Sequence, residues 1–371
     1  MLDWTIWLEW TIKSIVLILV VLTGFAYLTW YERRALARIQ SRIGPNRAGP
    51  QGLLQPIADA VKLIFKEELT PAKADKFVFF LAPILTVVPA TVLAAVIPWG
   101  RSFTMFGREI KLYLADTNVG VLYLTAVASV AVYGIVLAGW SSNNKYAMLG
   151  GLRASAQMIS YELSLGLGFV TAILLGNSMS LVDIVEAQRN AWFVFIQPVG
   201  AIVFLIVLLA EVNRSPFDMP EAEQELTAGY HSEYSGMKFA LFFMAEYEKM
   251  IIVCAIAATL FFGGYLGPGV DRFWFLGPVY MFIKIILLSF FMIWVRATLP
   301  RIRYDRLMSF GWKVVVPLSL TVVFLSALGI LLAQEFGPMY IWVTPVLSTF
   351  AGLFAVVMIN RTLRRKLYER A

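Results

Sequence analysis

Nine apolar stretches of roughly 20 residues each leave this chain few ways to fold. They lie at about 11–31, 77–98, 118–139, 155–175, 192–211, 239–263, 273–295, 314–333 and 340–360. A helix rises about 1.5 Å per residue, so each stretch is long enough to cross the ~30 Å hydrocarbon core of a bilayer. In lipid the backbone must satisfy its own hydrogen bonds, and these stretches lack the period-2 alternation of a barrel, so each is expected as a helix. Charge content agrees, since only 15% of residues are Asp, Glu, Lys or Arg, against about 25% in soluble domains. The expected fold is an all-α integral membrane protein. It has about nine transmembrane helices plus short amphipathic cytoplasmic helices, in a single polytopic membrane domain over residues 1–371.

Basic residues set the orientation. Most of the 31 lysines and arginines fall in 32–76, 140–154, 211–238, 296–313 and 361–371. Only Lys13, Arg101, Arg108, Lys111, Arg189 and Arg272 fall on the opposite side, and Lys249 and Lys284 lie within spans. The positive-inside rule then puts the N-terminus outside and the C-terminus inside. The opening MLDWTIWLEW has no basic n-region, so no removable signal peptide is expected. The net charge of +7 follows this topology and does not point to nucleic acid. One cysteine, Cys254, and one histidine, His231, cannot supply a zinc or iron–sulfur site, so no metal is expected on this chain. Cys254 reads as helix packing.

Between two of the apolar stretches lies EVNRSPFDMPEAEQELTAGYHSEY, with Glu211, Asp218, Glu221, Glu223, Glu225 and Glu233 against the single cation Arg214. Asp218 and Glu221 suit the start of a short helix near Met219, as N-cap and capping-box acid. Capping explains two acids and leaves the others, which repel one another and share protons as a coupled set. Pro216 is expected to end the preceding helix. Glu246 and Glu248 follow inside the next span, about 200° apart around the helix, so they cannot share one cavity, and Lys249 is placed to pair with one of them. His231 reads as a structural residue rather than a catalyst, since no partner for it is legible.

Three other stretches carry polar groups into this setting. In 32–76, Gly44-Pro45, Gly49-Pro50 and Gly52 make a turn-rich segment. From Leu53 helical periodicity resumes, with Gln55, Asp59, Lys62 and Lys66 on one face and Leu54, Ile57, Val61, Ile64 and Phe65 on the other. This is an amphipathic helix for a membrane surface or a partner. SSNNKYAMLGGLRASAQMISYEL places Tyr161 and Glu162 inside a span, where an ionisable group costs several kcal/mol and belongs in a polar interior. WVRATLPRIRYDRLM adds the patch of Arg296, Arg301, Arg303 and Arg306, suited to lipid head groups or to lining a site.

The chain resembles one family across almost its whole length. YERRALARIQSRIGPNRAGPQGLLQPIADAVKLIFKE, SSNNKYAMLGGLRASAQMISYE, AEVNRSPFDMPEAEQELTAGYHSEYSGMKFALFFMAEY and WVRATLPRIRYDRLM look like signature loops of the quinone-site membrane subunit of respiratory complex I, called the H subunit in bacteria and subunit 1 in mitochondria. The resemblance implies a subunit of a proton-pumping NADH-quinone oxidoreductase that is not catalytic alone. It would lie in the bacterial cytoplasmic (inner) membrane, among membrane lipids. Its partners would be hydrophilic-arm subunits carrying NADH chemistry, FMN, iron–sulfur clusters and the quinone-head site, and small membrane-arm subunits leading to antiporter-like pumps. The positions matching the family's quinone chamber are Glu32, Arg33, Arg42, Asp59, Lys62, Phe217 and Arg296. Those matching its proton relay are Glu162, Glu211, Glu221, Glu223, Glu225 and Glu246. Some relatives carry a further glutamate in the third span, where this chain has Val130.

Two rival functions share parts of this pattern. The equivalent subunit of a ferredoxin- or hydrogenase-linked complex would keep the architecture and change the electron donor; the intact NRSPFDMPEAEQELTAGYHSEYSG stretch favours the quinone-reducing branch. A stand-alone secondary transporter would show an internal repeat, and no convincing repeat relates the two halves. A purely structural anchor would not need Glu162 and Glu246 inside spans.

Overall fold

The computed structural model describes residues 4–105, 108–219 and 228–368. Helix α1, Trp4–Ile39, continues well past the first apolar stretch, because Glu-Arg-Arg-Ala-Leu-Ala-Arg are all good helix formers. Glu32 and Arg33 therefore sit on a helix and not in a loop. It stops where Ser41 turns to a positive φ of 55°. Gly52 closes the following turn at φ 77°, with its Cα so near Pro45 that an added Cβ would lie 2.2 Å from the Pro45 carbonyl oxygen. Only glycine fits there.

The amphipathic helix α2 is Gln55–Phe65, and none of its residues is fully buried. Helix α3 (Lys76–Leu93) is capped by the Asp75 carboxylate, which accepts from the Val78 amide. Helices α4 (Gly120–Ser141) and α5 (Lys145–Gly176) shrink the expected 140–154 loop to three residues, with Asn144 capping α5. Short helices α6 (Leu181–Ala187) and α7 (Phe193–Ile196) precede α8 (Pro198–Glu211). Then come α9 (Gly236–Phe261), α10 (Leu276–Thr298), α11 (Tyr304–Phe310), α12 (Val316–Phe336) and α13 (Val343–Tyr368). One feature departs from an all-helical reading: strands β1 (Phe103–Met105) and β2 (Arg108–Ile110) pair antiparallel with Phe103 opposite Ile110.

Helix covers all nine apolar stretches, and among the described residues seven helices are long and apolar enough to cross a membrane. The fifth stretch falls short because Gln197 breaks it ahead of Pro198, leaving α8 with 14 residues. The sixth, α9, has 26 residues but carries Lys238, Glu246, Glu248 and Lys249. Helix α8 ends at Glu211, five residues before Pro216, because the 212–219 segment turns through Asn213 at φ 54°.

The core follows from this imbalance. Helix α9 is the most enclosed, with Cys254, Ala255, Ala257, Ala258, Leu260 and Phe261 fully buried. Its small residues let neighbours approach closely, the usual basis of helix association without a hydrophobic driving force. Cys254 packs with its sulfur 3.7 Å from that of Met292. By contrast α1 shows Ile6, Leu8, Ile12, Val16 and Leu19 on its surface. Such faces suit lipid or a neighbouring helix.

Candidate functional site

The polar stretches converge at the end of the bundle where α1, α8 and α10 finish and α9 begins. The Leu69 amide donates to Ser235 at 3.0 Å, Asn144 donates to Glu233 at 2.6 Å, and the Ile302 amide donates to the Pro216 carbonyl at 3.1 Å. A Cβ on Gly150 would stand 2.6 Å from the Gly229 backbone, so this helix and loop meet without a side chain between them. Gln157, fully buried, organises the 210–217 segment. Its amide nitrogen reaches the carbonyls of Ala210 (2.9 Å) and Phe217 (2.7 Å) and the Asn213 side chain (3.1 Å).

That segment delivers Arg214 into a buried charged array. Glu32, 2% exposed, accepts from Arg296 of α10 and lies 3.5 Å from Arg214. Arg214 also meets Glu246 of α9 at 2.9 Å and covers the ring of Tyr247, 4.3 Å from its centroid. A second pair follows one turn along α9, where Lys249 meets Glu211 at 2.8 Å. Glu162 of α5, the helix that packs against α8, accepts from Ser129 of α4. Glu211, Glu246 and Lys249 share a cavity of about 50 Å³, whose wall also includes Thr86, Asn213 and Tyr230. Holding a water takes roughly 10–15 Å³, so a few waters fit beside these charges.

On the other side of the 212–219 segment is an apolar cavity of about 370 Å³, lined by Leu209, Pro216, Phe217, Phe291, Val295 and Ile302 among others. Phe217 packs against Tyr161 with ring centroids 5.7 Å apart, and the Tyr161 hydroxyl donates to the Leu307 carbonyl at 3.0 Å.

The residues singled out in the sequence are thus distributed unevenly. Glu32, Arg296 and Glu246 join one array, Glu211 and Glu162 adjoin it, and Phe217 flanks it. Arg33 and Asp59 pair with each other at 2.6 Å, joining α1 to α2 at a half-exposed position. Lys62 is exposed, and Arg42 is exposed with its Nε on Gln40 at 2.7 Å. Glu221, Glu223 and Glu225 lie outside the described residues. His231 is buried against the rings of Tyr230, Phe239 and Phe242, and burial pushes its imidazole down to about 3, so it is neutral at physiological pH.

Sequence reasoning missed three participants. Lys249 pairs with Glu211 of another helix, not with its own neighbours Glu246 or Glu248. Glu248 instead accepts from Thr91 of α3 at 2.9 Å. Gln157 went unremarked, although an amide inside an apolar span is the same kind of signal as Glu162. Arg214 was visible only as the one cation of an acidic loop.

Comparisons with known proteins agree in direction. The NADH dehydrogenase family matches residues 12–327. The chain is 53% identical over 308 residues to the first H subunit of NADH-quinone oxidoreductase of Geobacter metallireducens, covering 83% of this chain and 92% of that one. It is 50% identical over 333 residues to the second H subunit of NADH-quinone oxidoreductase of Syntrophobacter fumaroxidans, covering 89% and 99%. It is likewise 50% identical over 337 residues to the NADH-quinone oxidoreductase H subunit of Thermomicrobium roseum, covering 88% and 97%.

Proposed function

From the premise that this chain belongs to the NADH dehydrogenase family, we propose that it forms the quinone chamber of a proton-pumping NADH-quinone oxidoreductase. The chain is a membrane subunit of that enzyme and couples quinone reduction to proton movement through a buried carboxylate relay. All nine apolar stretches cross the bacterial inner membrane, with the basic loops and the C-terminus on the cytoplasmic side. NADH oxidation, FMN and iron–sulfur clusters belong to hydrophilic-arm partners, and small membrane-arm subunits carry the response onward.

One observation carries this reading. The 212–219 segment sends Pro216 and Phe217 into an apolar cavity and Arg214 into the ion pairs of Glu32 and Glu246. A single backbone segment therefore borders both a space suited to an isoprenoid-tailed molecule and a string of buried acids. Quinone reduction takes up two electrons and two protons, which changes the charge next to this segment. A change of that kind, felt at Arg214, alters how strongly Glu32 and Glu246 are held, because buried charges are weakly screened. The acids answer by changing protonation or position, and Glu211 and Glu162 carry the change deeper into the bundle.

Asp59, tied to Arg33 where α2 meets α1, is the chamber residue most open to test. Asp59→Asn is expected to slow NADH-driven quinone reduction about tenfold or more, while NADH oxidation by a water-soluble acceptor stays at the wild-type rate. Wild-type quinone reduction would contradict the chamber assignment. Equal losses in both assays would report failed assembly.

A further inference from the structure

Arg214, Arg296 and Lys249 face the buried acids, and the chemistry of the arginines differs from that of the lysine. Arg214 keeps its charge at any physiological pH, whereas a lysine ammonium has a proton that it can transfer to a base and take back. Lys249 lies one turn beyond Glu246 on the same face of α9. Its side chain is 12% exposed and its ammonium is 2.8 Å from Glu211, itself 4% exposed. The second carboxylate oxygen of Glu211 is buried with no hydrogen-bond partner among the described residues. Both acids and the lysine border one cavity with room for water. Arg214 is pinned by Glu32, Glu246 and the Tyr247 ring. Lys249 has a flexible four-carbon stem and one ion-pair partner shown.

Resting on the relay reading above, we infer that Lys249 is a proton-carrying residue of this path, standing between Glu246 and Glu211 and alternating between ammonium and amine. In one half-step the ammonium gives its proton to the Glu211 carboxylate. An ion pair becomes an amine beside a carboxylic acid, and the pair's net charge is zero before and after. The Glu211 carboxyl then turns so that the oxygen carrying this proton faces away from Lys249, and releases it toward the Glu162 side. The amine takes a proton from the Glu246 side through cavity water, and the ion pair is restored. One proton enters, one leaves, and no electron moves. The titratable groups that line the lysine's cavity are Glu211 of α8, Glu246 of its own helix and Tyr230 of the loop, with Arg214 paired to Glu246 and Glu162 standing on α5 outside that wall.

A lysine kept only for its charge would be replaceable by arginine, which does not release a proton at neutral pH. In vesicles holding the whole complex, Lys249→Arg, Lys249→Met and Lys249→Gln are to be compared with Glu211→Gln. Three rates are read: NADH-driven proton translocation, quinone reduction, and NADH oxidation by a water-soluble acceptor. Protons moved per NADH are expected to fall about tenfold or more in all three lysine variants, with NADH oxidation by the water-soluble acceptor unchanged. Wild-type translocation in Lys249→Arg would overturn the inference and leave Lys249 a charge partner. Where Lys249→Met fails to assemble, as lost NADH oxidation by the water-soluble acceptor would reveal, Lys249→Gln decides, since it keeps a donor for Glu211; translocation retained there overturns the inference too. Wild-type translocation in Glu211→Gln would instead remove the relay reading itself, whatever Lys249 does.

Discussion

The chain builds two clusters of ion pairs toward opposite ends of its helices, from the same residue types and to different effect. At one end Arg101 binds Glu186 through both Nε and Nη2 (2.7–3.0 Å) and also pairs with Asp271, which Arg189 meets at 2.7 Å. Tyr265 donates to Glu186 at 2.8 Å. These contacts tie together the segments after α3, α6 and α9, and Asp271 is largely exposed to solvent. Toward the other end Glu32 and Glu211 are buried, and each has one carboxylate oxygen without a hydrogen-bond partner among the described residues. A cluster whose bonds are filled fastens loops. A cluster with buried, unfilled acceptors beside a water-sized cavity holds its protons in a balance that nearby charge can tip.

The largest effect should come from breaking the buried cluster at its shared cation. Arg214→Met leaves Glu32 and Glu246 facing a lost partner, and removing one side of a buried pair costs about 3–5 kcal/mol. We expect little assembled complex in membranes carrying this variant, measured as the amount of subunit recovered with its partners. Near-normal recovery would mean that the array is more hydrated than its burial implies.

A smaller loss is expected from Gln157→Leu. It removes the donor that holds the 210–217 segment and leaves buried carbonyls unsatisfied, at about 1–3 kcal/mol. Quinone reduction should fall and the thermal midpoint drop, with both traceable to the segment that joins the apolar cavity to the acids. A lower midpoint with unchanged quinone reduction would separate that segment from function.

The exposed cluster should respond in stability and not in turnover. Partial burial raises Glu186, but hydrogen bonds from Arg101 and Tyr265 and the charges of Arg101 and Arg189 outweigh it, holding the carboxyl below the usual range. A depressed acid contributes stability that is complete above the ordinary carboxylate range and is lost as pH falls through the depressed value. Arg101→Gln should therefore lower the thermal midpoint at neutral pH, flatten its decline in acid, and leave quinone reduction unchanged. A loss of turnover would erase the contrast between the two ends.

The smallest effect is expected at His231. Its ring is neutral and enclosed by aromatics, so His231→Leu should leave the pH–activity profile between about pH 6 and pH 8 unaltered. A shifted profile would make it a titrating member of the site.

What could be read from the sequence follows a physical divide. Apolar runs of membrane length announce helices because lipid allows little else, and they placed helix under all nine stretches. They did not reveal that Gln197 and Pro198 would shorten the fifth, or that α1 would run on about two turns past its apolar stretch and hold Glu32 on a helix. Charges inside apolar runs pointed to Glu162 and Glu246, because such groups are costly wherever they are not needed. Their partners were not legible. Lys249 finds Glu211 across 38 positions of sequence, and Arg214 reaches Glu32 across 182. Contacts of that separation depend on how helices pack, which spacing within one helix does not encode. The β1–β2 hairpin, three residues to a strand, is too short to rise above its loop.

The most direct test of the account is proton translocation during NADH-driven quinone reduction by the complex carrying Glu246→Gln. That change keeps the size of the side chain that faces Arg214 and one acceptor oxygen, and removes its negative charge together with its ability to bind and release a proton, while Glu32 remains as a partner for Arg214. The account predicts assembled complex, wild-type NADH oxidation with a water-soluble acceptor, and proton translocation reduced about tenfold or more. Wild-type proton translocation per NADH would contradict it.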